Sequence, residues 1–348
     1  MRKFLLKTSI FVVYVLAFQV ILPFVIDPFN VFHFKNVRAT GTEPNRNYIK
    51  MRYLLANPDK YDGFLFGSSR VGAIHTYKIT DKKIYNLTYS VGLPAEHLAN
   101  LYTFQENGII PQRVYVGVDA IPITTHIEDH VKQAMRCPYE YLKDDPEHFF
   151  SLYFSPPDAL HSLTIPVREQ DVSSIAHIYT WGHQYDYNEV SKFDWAGVKY
   201  EEHTADHDIH QNVRRALNDM KGIADFCREN NIELVIFTNP MYCVTHMTAI
   251  DTGYLSFLEG LAEISDFWNF SGLNAVTLSN DNYRETSHYK AEVGDMIIDV
   301  MCNGKAYPEL QAQGFGVKVT RENVKDFISM LEHQAEDFRR NNKNSPEP

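Results

Sequence analysis

The chain of 348 residues is long enough for one large α/β domain or a domain with an insertion, and two domains are the alternative. Its formal net charge of −11 argues against nucleic acid as a partner, since phosphate contacts need a surface rich in Lys and Arg. The four cysteines form no C-x-x-C pair, so nothing indicates a zinc ribbon or a thioredoxin-like motif. Their spacing leaves open disulfide pairing in three ways or no disulfide at all.

Residues 1–26 predict a membrane-spanning helix. Basic residues occupy positions 2, 3 and 7, and residues 9–26 then contain no charge. A helix over 4–26 would be roughly 35 Å long, against a hydrocarbon core about 30 Å thick. The positive-inside rule places the N-terminus in the cytoplasm and the chain after Asp27 outside, as in an uncleaved signal anchor. A cleaved signal peptide and a buried core helix are the alternatives, but no small-x-small site follows the apolar run.

Residues 27–56 are polar and irregular, which predicts a linker leading to a domain at 57–339. That domain opens with an apolar segment at 63–66, typical of a buried parallel strand, which ends abruptly in Gly67-Ser68-Ser69. Ligand sites in open α/β sheets lie beyond the carboxyl ends of strands, so Ser69 is a candidate nucleophile. An ordinary loop or helix cap is the alternative interpretation of the same residues.

The rest of the domain alternates between strand-like and helix-like segments. The sequence predicts strands at 84–87, 113–118, 233–237 and 267–270, and helices at 71–77, 92–107, 209–230, 253–264, 290–301 and 321–339. Such alternation indicates an α/β fold with a mainly parallel sheet. Residues 121–208 lose the periodicity and predict an insertion over the functional edge of the sheet. Residues 340–348 predict a disordered tail.

Glu285 and His288 supply the groups that a serine nucleophile needs. Their three-residue spacing, in a loop before a helix, lets the carboxylate hold one imidazole nitrogen while the other nitrogen faces a nucleophile. A serine hydroxyl is weakly nucleophilic by itself, and the histidine acts as its base while the carboxylate fixes the tautomer. The sequence therefore predicts a triad of Ser69, His288 and Glu285, although an acid-x-x-His pair is also common in plain surface loops.

The order of these motifs resembles the SGNH, or GDSL-like, hydrolase superfamily. The matching segments are Gly67-Ser68-Ser69-Arg70, Gly92, Gly117-Val118-Asp119 and Glu285-Thr286-Ser287-His288. The resemblance covers residues 62–302 and implies a three-layer α/β/α fold of flavodoxin-like type. It also implies Ser69 as nucleophile, His288 as base, Glu285 as orienting acid, and the backbone N–H groups of Ser69 and Gly92 as part of the oxyanion hole. It implies no cofactor.

Three positions depart from the pattern of that family. Asp119 stands where the family has an asparagine that donates to the oxyanion, and an ionised carboxylate only accepts hydrogen bonds. Asn239, at the end of another strand, is a candidate replacement donor. Arg70 replaces an apolar residue, and we expect it to pair with Asp119 or to meet a substrate anion. Glu285 replaces an aspartate, a change that triad chemistry tolerates.

The resemblance, together with the N-terminal anchor, is similar in layout to bacterial envelope proteins that move acyl groups onto surface polymers. It implies a serine esterase or O-acyltransferase with an acyl-Ser69 intermediate, a glycan or teichoic-type acceptor, and a multispanning membrane acyltransferase as partner. A non-catalytic member that binds an envelope polymer or an assembly partner is the alternative. A cytoplasmic nucleotide-binding protein is a third class, which the absence of phosphate-loop and dinucleotide motifs opposes.

Histidines and aromatic residues of residues 121–210 also carry side chains that can bind metals or sugars. Two histidine groups have metal-like spacing without matching a known motif, namely His126, Glu128 and His130, and then His203, His207 and His210. We expect these side chains to be solvated or capping and predict no metal site. Aromatic residues of the insertion are expected to pack or to stack on sugars, among them Tyr139, Tyr141, Tyr179, Trp181, Tyr185, Tyr187 and Trp195.

Overall fold

A six-stranded sheet organises the chain, as seen in a computed structural model that describes residues 1–33, 36–187, 192–204 and 208–343. Its strands are β1 Gly63–Gly67, β2 Ile84–Asn86, β3 Arg113–Val118, β4 Glu233–Thr238, β5 Phe267–Asn269 and β6 Val317–Val319. Their order is β2-β1-β3-β4-β5-β6, and every neighbouring pair is parallel except the antiparallel pair of β5 and β6. The predicted α/β class with a mainly parallel sheet is confirmed.

Helices connect and cover these strands. They are α1 Arg2–Ile26, α2 Arg46–Leu55, α3 Pro94–Glu106, α4 Ile121–Thr124, α5 Ile127–Val131, α6 Tyr141–Asp144, α7 Pro146–Ser151, α8 Pro156–Ser162, α9 Glu169–Ile178, α10 Ile209–Glu229, α11 Cys243–Asp251, α12 Tyr254–Ile264, α13 Ala291–Asn303, α14 Pro308–Gln311 and α15 Val324–Lys343. Where the sequence predicts a helix over 71–77, the structure has two short 3-10 turns, Ser69–Ala73 and Thr76–Lys78. Those turns place Ser69 directly at the end of β1.

The core consists of two main apolar clusters, and alternate residues of a strand pack into one or the other. Phe64 and Phe66 of β1 belong to one cluster, which also contains buried residues of α3, α10, α12 and α15. Leu65, which points the other way, belongs to a second cluster that includes residues of α13. Side chains of a strand alternate between faces with period two, so each main cluster covers one face of the sheet.

Helix α1 is long and apolar enough to cross a membrane, and no other helix in the described part of the chain meets that criterion. Its mean hydropathy over the best window is 2.5, and its large apolar side chains are exposed. At its end, Asp27 adopts a left-handed conformation and its backbone N–H donates to the carbonyl of Pro23. The predicted apolar N-terminal helix is confirmed.

Residues 27–56 differ from the irregular linker that the sequence predicts. The segment contains α2, which is begun by Asn45, whose side-chain oxygen accepts from the Tyr48 N–H at 3.0 Å. Tyr48 and Ile49 pack in a third apolar cluster with Phe149 of the insertion. The prediction of a solvent-exposed linker was wrong because several polar residues of this segment are buried and hydrogen-bonded.

Lys50 is the extreme case of that burial. Its side chain is fully buried, and Nζ donates to the carbonyl oxygens of Asn86, Thr88 and Gly182 at 3.1, 2.7 and 2.6 Å. Burial holds the pKa of Lys50 well below its usual value. The Lys50 side chain thus connects α2, the chain at and after the end of β2, and the insertion.

The predicted insertion at 121–208 is built in its described part from short helices, α4 to α9, of which α4, α7 and α8 carry proline in the first turn. The sequence predicts a disordered tail at 340–348. Residues 340–343 instead continue α15, and residues 344–348 lie outside the described chain. The four cysteines, Cys137, Cys227, Cys243 and Cys302, are all free thiols. Of the disulfide alternatives that the spacing left open, the structure has none.

Candidate active site

Ser69 lies at the carboxyl end of β1, on a turn that requires glycine at position 67. Gly67 has φ 154°, and a Cβ added there would lie 2.9 Å from the carbonyl oxygen of Gly117 on the neighbouring strand. Ser68 follows as the cap of the 3-10 turn that begins at Ser69. Ser68 is buried, whereas Ser69 is partly exposed to solvent. The turn thereby presents the hydroxyl of the second serine and buries the first.

The structure brings Ser69, His288 and Glu285 into one hydrogen-bonded chain. Ser69 Oγ lies 2.7 Å from His288 Nε2, although 219 positions separate the two residues. The other ring nitrogen, Nδ1, is hydrogen-bonded to Glu285 Oε1. This is the connectivity in which an imidazole accepts the serine proton while a carboxylate holds its opposite side.

Glu285 is fixed as an ionised partner for that imidazole. Its second carboxylate oxygen accepts from the backbone N–H of Ser287 at 2.7 Å. Burial acts to raise the pKa of Glu285, but its hydrogen bond and charge contact with His288 outweigh burial and lower the pKa overall. The carboxylate is consequently suited to stabilise an imidazolium formed next to it.

The loop that carries the histidine is tied to the turn that carries the serine. Arg70 Nε donates to the carbonyl of Ser287 at 3.2 Å, and its Nη2 lies 3.3 Å from the Ser287 hydroxyl. Within the loop, the Arg284 N–H donates to the carbonyl of His288 at 2.9 Å. The Arg70 side chain and the Arg284 N–H therefore hold His288 in position relative to Ser69.

Asp119 forms the centre of a buried polar network beneath the site. Its Oδ2 lies 3.0 Å from Arg70 Nη1 and accepts from the Ser68 hydroxyl at 2.9 Å and from Asn239 Nδ2 at 3.2 Å. Its Oδ1 accepts from the N–H of Ile121 at 2.9 Å. The expected pairing of Arg70 with Asp119 is thus present, and Asn239 directs its amide at that carboxylate.

Gly92 lies beside the turn of β1. A Cβ added to Gly92 would lie 2.8 Å from the carbonyl oxygen of Gly67, so only glycine fits without displacing backbone. Its N–H lies 3.3 Å from the carbonyl of Tyr89, a long hydrogen bond that a better acceptor can replace. The residue before it, Val91, has φ 59°, a left-handed conformation that is uncommon for a β-branched residue.

A polar cleft of about 320 Å³ opens next to His288 and Glu285. Its walls come from residues of the segment at 40–46, from the insertion at 168–185 and from the loop of the candidate triad. The Tyr185 ring lies 5.4 Å from the His288 ring, and the guanidinium of Arg284 lies 4.3 Å over the Tyr185 ring. Arg46 also lines the cleft, and its Nη2 donates to the Ser174 hydroxyl at 3.0 Å.

The cleft residues from segment 40–46 were missed by sequence reasoning, and Tyr185 was singled out only as one of several aromatics. No local pattern marks them, because they reach the site through contacts between segments far apart in the chain. Arg46 and Ser174, for example, are separated by 128 positions. The expectation that the insertion borders the site agrees with its place in the cleft wall.

The histidines with metal-like spacing have other partners. His130 is fully buried and its Nδ1 lies 2.6 Å from Glu96 Oε1, while His126 contacts the guanidinium of Arg215. His203 Nδ1 lies 2.7 Å from the carbonyl of Glu201. His207 lies outside the described residues. Neither predicted group forms a metal cluster among the residues that the structure describes.

No protein-family model and no curated protein matches this chain. What the chain itself provides is a serine hydroxyl, an imidazole and a carboxylate in hydrogen-bonded series at the carboxyl end of a parallel strand. Chemically, that arrangement can deprotonate the serine as it attacks an electrophile and return the proton to a leaving group.

Proposed function

We propose that this chain is a serine esterase or O-acyltransferase of the SGNH type, with the three-layer α/β/α arrangement of that superfamily. The observation that carries the proposal is the 2.7 Å contact between Ser69 Oγ and His288 Nε2, with Glu285 on the far side of the ring. Nucleophile, base and orienting acid come from two distant segments that the fold brings together. A chance surface pair would not align all three groups in series.

The proposed reaction has two steps. In the first step, Ser69 Oγ attacks an acyl carbonyl while His288 accepts the serine proton and delivers it to the leaving oxygen, which leaves an acyl-Ser69 ester. In the second step, His288 takes the proton of water or of a carbohydrate hydroxyl, whose oxygen attacks the ester carbonyl, and returns a proton to Ser69 Oγ as the bond from that oxygen to the acyl group breaks. Glu285 stabilises the imidazolium in both steps.

Oxyanion stabilisation rests in this proposal on the backbone N–H groups of Ser69 and Gly92. Asn239, the candidate replacement for the missing asparagine donor, directs its amide at the carboxylate of Asp119 instead. Loss of one oxyanion donor typically slows such enzymes by about 10²–10³. We accordingly expect a slow or specialised enzyme rather than a broadly active esterase.

The proposed setting is the outer side of a cell membrane, with α1 as an uncleaved signal anchor and its N-terminus in the cytoplasm. The exposed apolar surface of α1 and the basic residues at its start support this topology. In that setting the acceptor would be an envelope glycan or a teichoic-type polymer, and a multispanning membrane acyltransferase would be the partner of this chain. The polar, arginine-bearing wall of the cleft supports a hydrophilic acceptor.

A covalent serine probe tests the proposal. The full chain in detergent is treated with a fluorophosphonate, and the adduct is located by peptide mass in the wild type and in Ser69→Ala, His288→Ala and Glu285→Gln. We expect an adduct on Ser69 that is absent in Ser69→Ala and strongly slowed in the other two variants. Ser265→Ala, which changes a serine on the surface away from the site, serves as the matched control and should label like wild type.

A non-catalytic role is the second candidate, because Asp119 and Asn239 leave the proposed oxyanion hole without a side-chain donor. Such a protein would keep the fold and bind an envelope polymer or an assembly partner. Absence of any Ser69 adduct in a folded wild-type protein would favour this role and contradict the enzymatic proposal.

A further inference from the structure

Three histidines and an aspartate meet where the turns after Ser69 touch the insertion. A ring nitrogen of His75, a ring nitrogen of His183 and a carboxylate oxygen of Asp186 all lie within 4.8 Å of one another. His177 joins them, since its Nε2 lies 3.6 Å from Asp186 Oδ1, while His183 Nε2 lies 3.3 Å from the same oxygen. No part of the proposed acyl transfer uses this group of side chains.

The imidazoles of this cluster are buried with unused ring nitrogens. His75 and His183 are 0% and 5% exposed. The Nδ1 atoms of His75, His177 and His183 are buried and have no hydrogen-bond partner among the described residues. Buried polar atoms are rarely left unpaired in folded proteins, so this cluster suits a ligand, which His75 would bind through Nδ1 and His177 and His183 through the Nε2 atoms that face Asp186.

The surrounding groups hold the cluster in a form suited to metal binding. The carbonyl oxygen of Tyr185 lies 3.0 Å from His75 Nε2, so that nitrogen is the donor and Nδ1 keeps its lone pair. The Ser173 hydroxyl donates to Asp186 Oδ2. A carbonyl behind a histidine and a hydroxyl behind a carboxylate are common outer partners of metal ligands.

We propose that His75, His177, His183 and Asp186 form a binding site for a divalent transition metal, with Zn²⁺ as the best fit. Imidazole with a single carboxylate suits zinc, whereas Ca²⁺ and Mg²⁺ prefer sites made of oxygen atoms. Zn–N and Zn–O bonds of about 2.0–2.2 Å place tetrahedral ligand atoms about 3.3–3.5 Å apart. The two nitrogen-to-carboxylate distances of 3.3 and 3.6 Å match such an edge.

His75, His183 and Asp186 have ligand atoms that all lie within 4.8 Å of one another, and His177, through its contact with Asp186, would complete a closed site of the structural kind, since catalytic zinc keeps an open position. The metal fastens the insertion to the turn that follows the candidate nucleophile. At the same place, the N–H groups of Gln184 and Tyr185 donate to the carbonyl of Gly72 at 2.8 and 3.2 Å. Tyr185 forms the cleft wall beside His288, so metal binding fixes that wall. The site does not depend on whether Ser69 is acylated.

Zinc titration of the full chain tests the proposal. The protein in detergent is stripped with a chelator, titrated with Zn²⁺ against a chromogenic competitor, and analysed for bound metal after gel filtration. We expect one Zn²⁺ per chain, with an affinity at least about 100-fold weaker in His183→Gln and in Asp186→Asn. Ser173→Ala, which removes an outer partner, should weaken binding by about 10–100-fold. The control His161→Gln changes an exposed histidine and should bind as the wild type does.

X-ray absorption of the zinc-loaded wild type keeps the test valid if a variant fails to fold. We expect only nitrogen and oxygen ligands, with the outer-shell scattering of imidazole. Sulfur ligands at about 2.3 Å would place the metal on the free cysteines and overturn the proposal. The absence of stoichiometric zinc in the wild type, or unchanged affinity in folded His183→Gln and Asp186→Asn, would overturn it as well.

Discussion

Asp119 stands where the resemblance to the SGNH superfamily implies an asparagine that donates to the oxyanion, and in the structure its carboxylate contacts a buried cation. Its carboxylate is 2% exposed and lies 3.0 Å from the guanidinium of Arg70, which is itself tied to the loop of His288. At this position the charge pairs with a buried cation instead of facing a substrate. The network holds the serine turn and the histidine loop in register.

Asp119→Asn should destabilise the protein without raising its reactivity. The change leaves the buried guanidinium of Arg70 without its counter-charge, and breaking a buried ion pair typically costs about 3–5 kcal/mol. The free energy of unfolding measured by urea titration, with fluorophosphonate labelling as a second readout, checks this expectation. The matched control is Asp225→Asn, which alters an exposed ion pair on α10 and should change stability little. Faster labelling in Asp119→Asn would mean that an asparagine donates to the oxyanion there after all.

The triad residues were predictable from the sequence because each belongs to a short local pattern. Ser69 follows an apolar strand and a glycine, and Glu285 precedes His288 by three positions in a loop before a helix. Arg46 and His183 were not predictable, since their neighbours in space are far away in the chain and no spacing rule connects them. His183 approaches His75, for example, only because the insertion folds back onto the turn after β1.

The loop between β2 and α3 contains a β-branched residue with a strained, left-handed backbone conformation. Val91 has φ 59° there, immediately before Gly92. A β-branched side chain in the left-handed region costs about 1–3 kcal/mol unless the surroundings hold it in place. Because Gly92 supplies a proposed oxyanion N–H, the strain lies next to a functional group.

Val91→Asn should raise the free energy of unfolding by about 1 kcal/mol, because asparagine tolerates the left-handed conformation. Thermal or urea unfolding of the full chain in detergent measures the change. Val167→Asn, at an exposed valine in the insertion without this backbone conformation, is the control and should bring no gain. A Val91 variant that is no more stable than wild type would show that side-chain packing, rather than strain, decides at this position.

Elements with a strong period were predicted well, and those without one were not. Strand β3 and helix α10 agree closely with the sequence prediction, because their apolar residues recur at strand or helix spacing. Helix α2 was missed because its buried face includes Arg46, Asn47 and Lys50, whose polarity hides the amphipathic pattern. Strand β6 was missed because an exposed lysine interrupts its two valines, whereas β2 and β5, which are equally short, each have two consecutive apolar or aromatic residues.

At the scale of the whole molecule, buried neutral histidines make stability depend on pH. Burial lowers the pKa of His246 to about 4, against about 6.5 in an unfolded chain. Between these pH values the unfolded state binds the proton and the folded state does not, so stability falls as the pH falls. Both ring nitrogens of His246 lack hydrogen-bond partners among the described residues, which leaves nothing to offset the effect.

His246→Leu should remove part of this acid sensitivity. We expect the loss of unfolding free energy between pH 7 and pH 5 to shrink by about 2 kcal/mol, the linkage contribution of one such histidine. Urea titrations at both pH values measure the difference. His161→Leu is the control, because that side chain is exposed and remains in contact with water after unfolding. An unchanged pH dependence in His246→Leu would indicate that His246 takes up its proton in the folded protein over the same pH range as in the unfolded chain.

The folded character of the segment after α1 limits how far the cleft can move from a bilayer. Both oxygens of Asp27 accept N–H groups, from Val31 at 2.8 Å and from Phe32 at 2.9 Å. Arg38 Nη2 donates to the carbonyl of Ile26 at 2.8 Å. If α1 is embedded in lipid, the segment that connects it to the domain is therefore a hydrogen-bonded connection rather than a length of free chain. The polymer acceptor of the proposed function would then have to reach the cleft at the membrane surface, because these contacts hold the domain next to the end of α1.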